Sequence, residues 1–400
     1  MKAYIVAAKR TAIGKFLGGL SSFGAGELGA KVIKKMLDET GLDPHLIDQV
    51  IVGNVLGAGQ GQGIARQASI KAGIPVQIPA YGINMVCGSG MKSVMIGCTE
   101  IGSGNGEVII AGGVESMSNT PFMLGSALRN GQKMGDFKAV DHMVFDGLTD
   151  IFNNYHMGIT AENVAEKYGI SRKAQDEFAF YSQKKAIKAV DSGFFAKEIV
   201  PVEIVSKKET ILFGTDEYPN RASTMEKLAV LKPAFKKDGT VTAGNASGVN
   251  DGASFVLIMS ERKVKELGIE PLVEVIAYGQ GGVAPEIMGL GPVPAIKQTL
   301  KKADMTLQQM SILELNEAFA AQSLGVVEEL SSEHNVTKEW ILERTNVHGG
   351  AIALGHPIGA SGNRIIVTLI HEMKRSNHPF GLASLCIGGG MGTAMIFKNV

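Results

Sequence analysis

The chain is poor in cysteine, in tryptophan and in net charge. Its 400 residues include three cysteines and one tryptophan, and 39 basic side chains balance 39 acidic ones. An odd number of cysteines in so long a chain makes a poor disulfide framework and is typical of a reducing compartment, where a cysteine can serve as a nucleophile. The charge balance gives no sign of a nucleic-acid groove or an anionic membrane surface as partner. Any anionic ligand must therefore be held by a local site.

Long apolar runs, zinc-ligand spacings and a dinucleotide fingerprint are also missing. No apolar stretch approaches the roughly 20 residues of a membrane span, and the first residues show no cleavable signal. In the glycine cluster at 57–63, every register of G-x-G-x-x-G fails because its third glycine falls on Gln62, Ile64 or Arg66. We expect a cytoplasmic protein without a metal site, a membrane partner or a Rossmann-bound cofactor.

What the sequence does contain is a repeated alternation of short apolar runs and amphipathic stretches, which favours an α/β sheet covered by helices. Strand-like runs lie at 4–6, 50–52, 108–110, 272–275, 312–315, 382–385 and 394–397. Two glycine-rich segments, Cys87-Gly88-Ser89-Gly90 and Gly359-Ala360-Ser361-Gly362, each precede apolar residues at helical spacing. This repetition predicts a duplicated unit, and we interpret the apolar stripes as core. Between about 120 and 250, a polar loop, charged helices and a lysine-rich stretch around Lys207 and Lys208 indicate an insertion.

Four residues could carry chemistry. Cys87 stands where a loop gives way to a helix, and free N–H groups at a helix N-terminus stabilise a thiolate. His356, between a glycine and a proline, suits a base that must be aimed. Cys386 ends an apolar strand and precedes glycines whose N–H groups can point at an oxyanion. Taken singly, each has a plainer interpretation: a lone cysteine is usually a small buried hydrophobe, and the strand-end Asn316 is usually a turn or cap residue.

Together, the segments around these residues resemble the thiolase family, close to its biosynthetic branch, and the similarity runs from the first strand to the last. The segments are Cys87-Gly88-Ser89-Gly90, Asn316-Glu317-Ala318-Phe319, Gly355-His356-Pro357 and Cys386-x-Gly388-Gly389-Gly390, in that order. The resemblance implies an α/β thiolase fold, with duplicated βαβαββ halves that form a layered α/β/α/β/α core with an inserted loop domain. Residues 1–120, completed by about 250–268, would form the N-terminal half. Residues 121–249 would form the inserted domain for coenzyme A binding and oligomer contacts, and 269–400 the C-terminal half.

The resemblance also implies the reaction, a reversible Claisen condensation of two acetyl-CoA to acetoacetyl-CoA and CoA. Cys87 would take the acyl group while His356 withdraws its proton, and Cys386 would deprotonate the methyl group of the second acetyl-CoA. One oxyanion site would be His356 with a water held on Asn316, and the other the backbone N–H groups of Cys87 and Gly388. Coenzyme A and acetyl-CoA would be substrates, and no cofactor would be required.

Further positions match family residues that line the coenzyme A site: Leu148, His156, Met157, Ala234, Phe235, Ala243, Ser247, Met288, Ala318 and Phe319. Arg221, displaced by one residue from the arginine of close relatives, is a candidate for nucleotide contact. His348 stands where many relatives have asparagine, and we expect that change to be tolerated. Met157 and Met288 would crowd the acyl pocket and exclude long tails.

Family members are commonly dimers or tetramers, and we expect a homotetramer. The nearest alternative function is a degradative 3-ketoacyl-CoA thiolase, which would share all four catalytic residues and differ in the acyl pocket. A ketoacyl-carrier-protein synthase is expected to use a Cys-His-His set instead. A non-catalytic thiolase-like protein that binds lipid or coenzyme A should have lost a catalytic residue, and none is missing here.

Overall fold

The computed structural model describes residues 2–205 and 209–400, so Lys207 and Lys208 lie outside the described residues. The strands are β1 (Ala3–Thr11), β2 (Gly14–Lys15), β3 (Gln49–Gly53), β4 (Ala80–Ile83), β5 (Val108–Ser116), β6 (Phe122–Leu124), β7 (Ala139–Asp141), β8 (Thr149–Asp150), β9 (Tyr155–His156), β10 (Ile199–Val200), β11 (Val202–Val205), β12 (Thr210–Phe213), β13 (Asn250–Ser260), β14 (Val273–Gly282), β15 (Ile312–Leu315), β16 (Phe380–Ile387) and β17 (Met391–Asn399). The α-helices are α1 (Ala25–Thr40), α2 (Ile64–Lys71), α3 (Ser89–Ser103), α4 (Met157–Tyr168), α5 (Arg172–Asp191), α6 (Met225–Ala229), α7 (Glu261–Leu267), α8 (Pro292–Ala303), α9 (Ala320–His334), α10 (Lys338–Arg344), α11 (Ala351–Leu354) and α12 (Ile358–Ser376).

One large mixed sheet runs through the protein in the order β15-β16-β17-β14-β1-β13-β5-β3-β4. Its middle is the antiparallel pairing of β1 with β14. On one side of this junction the order is β1-β13-β5-β3, and on the other side it is β14-β17-β16-β15. On each side, the first two pairings are antiparallel and the third is parallel. The duplicated strand order explains the repeat in the sequence.

Helices form three layers around the two parts of the sheet. Helices α1 and α2 cover the first part on one face, α8 covers the second part, and α3 and α12 lie between the two parts. Strands β5 and β13 are buried along their whole length, as continuous apolar runs require when both sheet faces are covered. The predicted core stripes are confirmed, because all their residues are buried in one cluster between the halves: Met91, Val94, Met95, Cys98, Ile366, Leu369, Ile370 and Met373. The α/β thiolase-type layering is thus present.

Glycines allow α3 and α12 to cross closely at the centre of the molecule. A Cβ on Gly90 would lie 2.9 Å from the carbonyl oxygen of Gly359, and one on Gly362 would lie 2.6 Å from the backbone nitrogen of Met91. Real Cβ atoms do not approach backbone atoms so closely, so any side chain here would push the helices apart. The crossing places the segments that carry Cys87 and His356 side by side.

The stretch predicted as an insertion contains the hairpins β6–β7 and β11–β12 and the helices α4, α5 and α6. Helix α5 ends at Asp191, directly before Ser192 and Gly193, and Gly193 adopts φ +67°, a left-handed conformation common just after a helix end. Strand β13 follows this stretch and lies between β1 and β5. The division of the chain into domains stays a prediction. Within residues 2–205 and 209–400, no helix combines the length and apolar character needed to cross a membrane.

Candidate active site

A cavity of about 320 Å³ lies where the two halves and the inserted stretch meet. Four of the predicted catalytic residues line it: Cys87, His356, Cys386 and Gly388. Cys87 lies two residues before α3, His356 lies two residues before α12, and Cys386 lies near the end of β16. The ends of two crossing helices and one strand therefore present two thiols, an imidazole and a glycine N–H to one small space.

Cys87 is presented by a strained turn. Val86 has φ +46°, a left-handed conformation that β-branched residues rarely adopt. The turn is fixed around it: the Asn84 side chain accepts from Val86 N at 2.9 Å, and Ser89 Oγ donates to Val86 O at 2.7 Å and accepts from Met85 N at 2.8 Å. Gly88 has no room for a side chain, because its Cβ would lie 2.3 Å from Ile387 Cδ1. The strain is thus concentrated at the residue that precedes the thiol.

Burial raises the pKa of the Cys87 thiol to about 11, although the N–H groups of Gly388 and of Cys87 itself oppose this shift. The backbone N–H groups therefore favour the thiolate, but in the free protein desolvation outweighs their contribution. The resting side chain is a neutral thiol with two N–H groups directed at its sulfur. Such donors gain strength when negative charge develops beside them.

The ring of His356 is buried and its orientation is fixed. Its Nδ1 lies 2.6 Å from Ser361 Oγ, which in turn donates to Pro357 O at 2.9 Å, so Nδ1–H donates to the hydroxyl. Its Nε2 has no hydrogen-bond partner among the described residues. Burial, and then the charge of Arg364, lower the pKa of His356 to about 4. The free side chain is therefore a neutral imidazole with the lone pair of Nε2 available to accept a proton.

Cys386 and the glycines after it form the other side of the cavity. Burial and the nearby Cys87 raise the pKa of the Cys386 thiol. Gly389 and Gly390 both have φ +85°, and a Cβ on Gly390 would lie 2.2 Å from the carbonyl oxygen of Val283. This glycine-only turn brings Gly388 so close to Met157 that a Cβ there would lie 3.1 Å from the methionine methyl carbon. The backbone, rather than a side chain, thus faces the cavity here.

Asn316 follows the end of β15 and is buried. Its backbone N–H donates to Ser384 O at 3.0 Å, whereas neither side-chain atom, Oδ1 or Nδ2, has a partner in the described parts of the chain. Asn316 is not among the residues that line the cavity, but Ala318 and Phe319, which follow it, are. Its amide is available to bind a polar group behind that wall.

The positions predicted for coenzyme A contact also converge on this cavity. Apart from Arg221, all ten residues predicted to contact coenzyme A line the cavity. The ring of His156 stacks on Phe235 at 4.5 Å between centroids, and Phe235 meets Phe319 edge-on at 6.1 Å. Sequence reasoning missed other lining residues: Val86, Met117, Gly147, Tyr218, Val249 and Ile358. For Tyr218 no motif gives a signal, since it belongs to the irregular segment between β12 and α6.

Two further predicted positions lie elsewhere. The guanidinium of Arg221 pairs with Asp191 at 3.0 Å and does not line the cavity, so its contact with a nucleotide stays a prediction. His348 also lies outside the cavity lining, where its Nε2 lies 3.0 Å from Glu372 Oε2 and its ring packs on Phe194. The His348 imidazole is thus paired with the carboxylate of Glu372.

The comparisons with known proteins agree with this geometry. Residues 3–262 match "Thiolase, N-terminal domain" and residues 269–399 match "Thiolase, C-terminal domain". Acetyl-CoA acetyltransferase of Pseudomonas aeruginosa is 55% identical over 98% of both chains. Among solved structures, acetyl-CoA acetyltransferase of Bacillus anthracis has a TM-score of 0.95 at 43% identity, covering 100% of this chain and 99% of that chain. Human mitochondrial 3-ketoacyl-CoA thiolase has a TM-score of 0.94 at 42% identity, with the same coverage. With both thiolase domains matched along almost its full length, this chain belongs to the thiolase family.

Proposed function

We propose that the protein is an acetyl-CoA C-acetyltransferase, which joins two acetyl-CoA into acetoacetyl-CoA and CoA and also catalyses the reverse cleavage. The observation that carries this proposal is the convergence of Cys87, His356, Cys386 and Gly388 on one cavity. The names of relatives 50–55% identical over almost the whole chain support it, since five of them are acetyl-CoA acetyltransferases. The direct test is CoA-dependent cleavage of acetoacetyl-CoA by the purified protein.

In the first half-reaction, the Cys87 sulfur attacks the thioester carbonyl of acetyl-CoA and His356 Nε2 takes the thiol proton. The raised pKa of the thiol and the lowered pKa of the imidazole disfavour an ion pair in the free enzyme. The proton therefore leaves as the sulfur attacks, when the N–H groups of Cys87 and Gly388 can stabilise the oxyanion. The C–S bond of the thioester breaks, the CoA sulfur takes the proton from His356, and acetyl-Cys87 remains.

In the second half-reaction, His356 Nε2 takes the thiol proton of Cys386, and the Cys386 sulfur removes a proton from the methyl group of another acetyl-CoA. The protonated His356 then carries Nε2–H, which donates to the enolate oxygen, while Nδ1–H keeps its hydrogen bond to Ser361 Oγ. A water held by Asn316 would be the second donor to that oxygen. The carbanion attacks acetyl-Cys87, the C–S bond breaks, and the Cys87 sulfur leaves with the proton from His356.

A second cavity is suited to the nucleotide end of coenzyme A. It has a volume of about 700 Å³ and shares Tyr218 and Ala243 with the first cavity. Lys15 and Lys227 line it, and both can pair with phosphate oxygens. We propose that the pantetheine arm passes the Tyr218 side chain and that these lysines, rather than Arg221 in its pairing with Asp191, attract the phosphates.

A degradative 3-ketoacyl-CoA thiolase is the second candidate, and another adjoining cavity favours it. This cavity of about 510 Å³ shares Val86, Gly147, Met157 and Gly388 with the first and is lined by Phe145, Ile151 and Phe152. Met157 belongs to the wall that the two cavities share, so we expect its side chain to hinder an acyl tail that enters the adjoining cavity. The likeness to human 3-ketoacyl-CoA thiolase does not discriminate, since its TM-score is almost that of the acetyltransferase structure.

We expect acetoacetyl-CoA to be cleaved at least about tenfold faster than 3-ketohexadecanoyl-CoA, because the buried side chains of Met157 and Met288 line the cavity and occupy space that a long tail would need. The measurement is kcat/KM for both substrates under the same conditions. Faster cleavage of the long chain would replace the proposed function by the degradative one.

We also propose a homotetramer. The β6–β7 hairpin and the loop that it encloses expose large apolar side chains, with Met134 93% and Phe122 70% accessible. We expect the wild type to have the mass of four chains by light scattering. Phe122→Asp should lower that mass, while Val76→Asp, at a site 66% accessible outside the hairpin, should not. A wild-type monomer would contradict the proposal.

The cytoplasmic location and the absence of a required cofactor stay predictions, and we further propose a part in fatty acid metabolism. Because we predict that no cofactor is required, we expect full activity after dialysis against a chelator.

A further inference from the structure

The strand end that carries Asn316 is held by the side chain of Asn346. Asn346 Oδ1 accepts from Leu315 N at 2.9 Å, and its Nδ2 donates to Leu315 O at 2.7 Å. The side chain thus makes the two hydrogen bonds that a neighbouring strand would make with the last residue of β15. Asn346 itself has φ +46° and is buried, so its conformation also depends on its partners.

The carboxylate of Glu317, the residue after Asn316, in turn holds the side chain of Asn346. Glu317 is 2% exposed, and its Oε1 accepts from Asn346 Nδ2 at 2.9 Å. Its Oε2 accepts from Ser182 Oγ at 2.6 Å and from Ile352 N at 3.3 Å. Every contact of this carboxylate is with a donor, so the site is built for an acceptor with two oxygens.

These donors come from three separate parts of the chain. Ser182 belongs to α5 in the inserted stretch, Ile352 belongs to α11 just before His356, and Asn346 precedes that helix. A Cβ on Gly350 would lie 2.2 Å from the carboxyl carbon of Glu317, which shows how closely the backbone surrounds the group. Among the described residues, the side-chain amide of Asn316 has no hydrogen-bond partner, so its direction depends on the residues on either side of it.

We propose that Glu317 is a positioning residue for Asn316: its carboxylate fixes the end of β15 so that the Asn316 amide holds the water that stabilises the enolate. The inference rests on the proposed function, because that amide matters to the reaction only if the protein condenses acyl thioesters. Glu317 does not line the cavity where the two thiols lie, so its effect on the reaction must be indirect.

The test is a double-mutant cycle of Glu317→Gln with Asn316→Ala, read as kcat and KM for cleavage of acetoacetyl-CoA. Glutamine has the same shape but one oxygen, so it leaves a donor on one side of the site without an acceptor. We expect Glu317→Gln alone to lower kcat by about tenfold to a hundredfold, with KM within about threefold, because a small misplacement of a reacting group has effects of this size. In the Asn316→Ala background the same change should cost no more than about twofold.

Two further variants keep the test decisive. Ser182→Ala removes one donor and leaves the carboxylate, and we expect about a threefold to tenfold loss of kcat that also disappears in the Asn316→Ala background. Glu198→Gln is the matched control, since Glu198 is equally buried but bonds to Arg10 and Thr368; its kcat should stay within about twofold.

An equal loss from Glu317→Gln in both backgrounds would overturn the inference, because it would show a general structural role. If Glu317→Gln does not fold, Ser182→Ala replaces it in the test. An equal loss of kcat from Ser182→Ala in both backgrounds would then overturn the inference. In either case the proposed function would stand, since it is tested by the wild type. An inactive wild type would overturn both.

Discussion

Replacing either Cys87 or Cys386 by alanine is expected to lower the rate of acetoacetyl-CoA cleavage by at least about a thousandfold, because each thiol makes or breaks a bond that no neighbour can replace. Both side chains line the same cavity, and the pKa of each thiol is raised by burial. Neither is a preformed thiolate, so each must lose its proton during the reaction. Alanine removes the sulfur and leaves the backbone N–H groups in place.

The two variants should fail at different steps, which separates the roles of the cysteines. With acetyl-CoA alone, Cys386→Ala should still form acetyl-Cys87, seen as an acetyl adduct by mass spectrometry, whereas Cys87→Ala should form none. Cys98→Ala is the matched control, because Cys98 is buried on α3 away from the cavity. It should retain activity within about twofold. An acetyl adduct on Cys87→Ala, or full turnover by Cys386→Ala, would contradict the assignment.

Replacing His356 by glutamine is expected to lower kcat by about a hundredfold to ten-thousandfold, the range typical of losing a general base. Glutamine can still bond to Ser361, but it cannot take the proton of Cys87. His371→Gln is the control: His371 is also a largely buried histidine of low pKa, on α12, but its Nε2 lies 2.9 Å from the carbonyl oxygen of Ala8. Its loss should change kcat by no more than about twofold. A His356→Gln variant as active as this control would refute the role of the base.

The same histidine fixes the acid side of the pH dependence. The pKa of His356 falls from the ordinary 6.5 to about 4, so the base stays neutral, and therefore active, well below pH 6.5. We expect kcat/KM for acetyl-CoA to show no half-loss near pH 6.5 and to be maintained at about pH 5.5. An acid limb centred at the ordinary histidine pKa would contradict the buried, neutral imidazole.

The free energy of unfolding should also depend on the protonation of His356, and it should fall as the pH is lowered. Because the folded protein binds a proton on His356 less readily than the unfolded chain does, the stabilising contribution is present above about pH 6.5. It is lost as the pH falls toward 4. Urea unfolding of the wild type and of His356→Gln between these values would show a smaller pH slope in the variant.

Much of the fold and of the site was predictable from local sequence. The apolar stripes after Gly90 and Gly362 have helical spacing, and the structure confirms that they are core. Cys87, His356 and Cys386 stand in short glycine-rich segments whose order is specific to the thiolase family, and all three line one cavity. These features depend on residues close together in the chain.

The sequence by itself therefore determined the family, the duplicated α/β architecture and the residues that meet in the cavity, because motifs and periodicity are local patterns. Only the tertiary structure decided the protonation states, since the pKa of Cys87 depends on burial by residues from distant segments and rises where the helix alone would lower it. It also decided that Arg221 pairs with Asp191, that Tyr218 lines the cavity and that Glu317 holds Asn346 beside Asn316. Such contacts join residues far apart in the chain, and their geometry depends on packing.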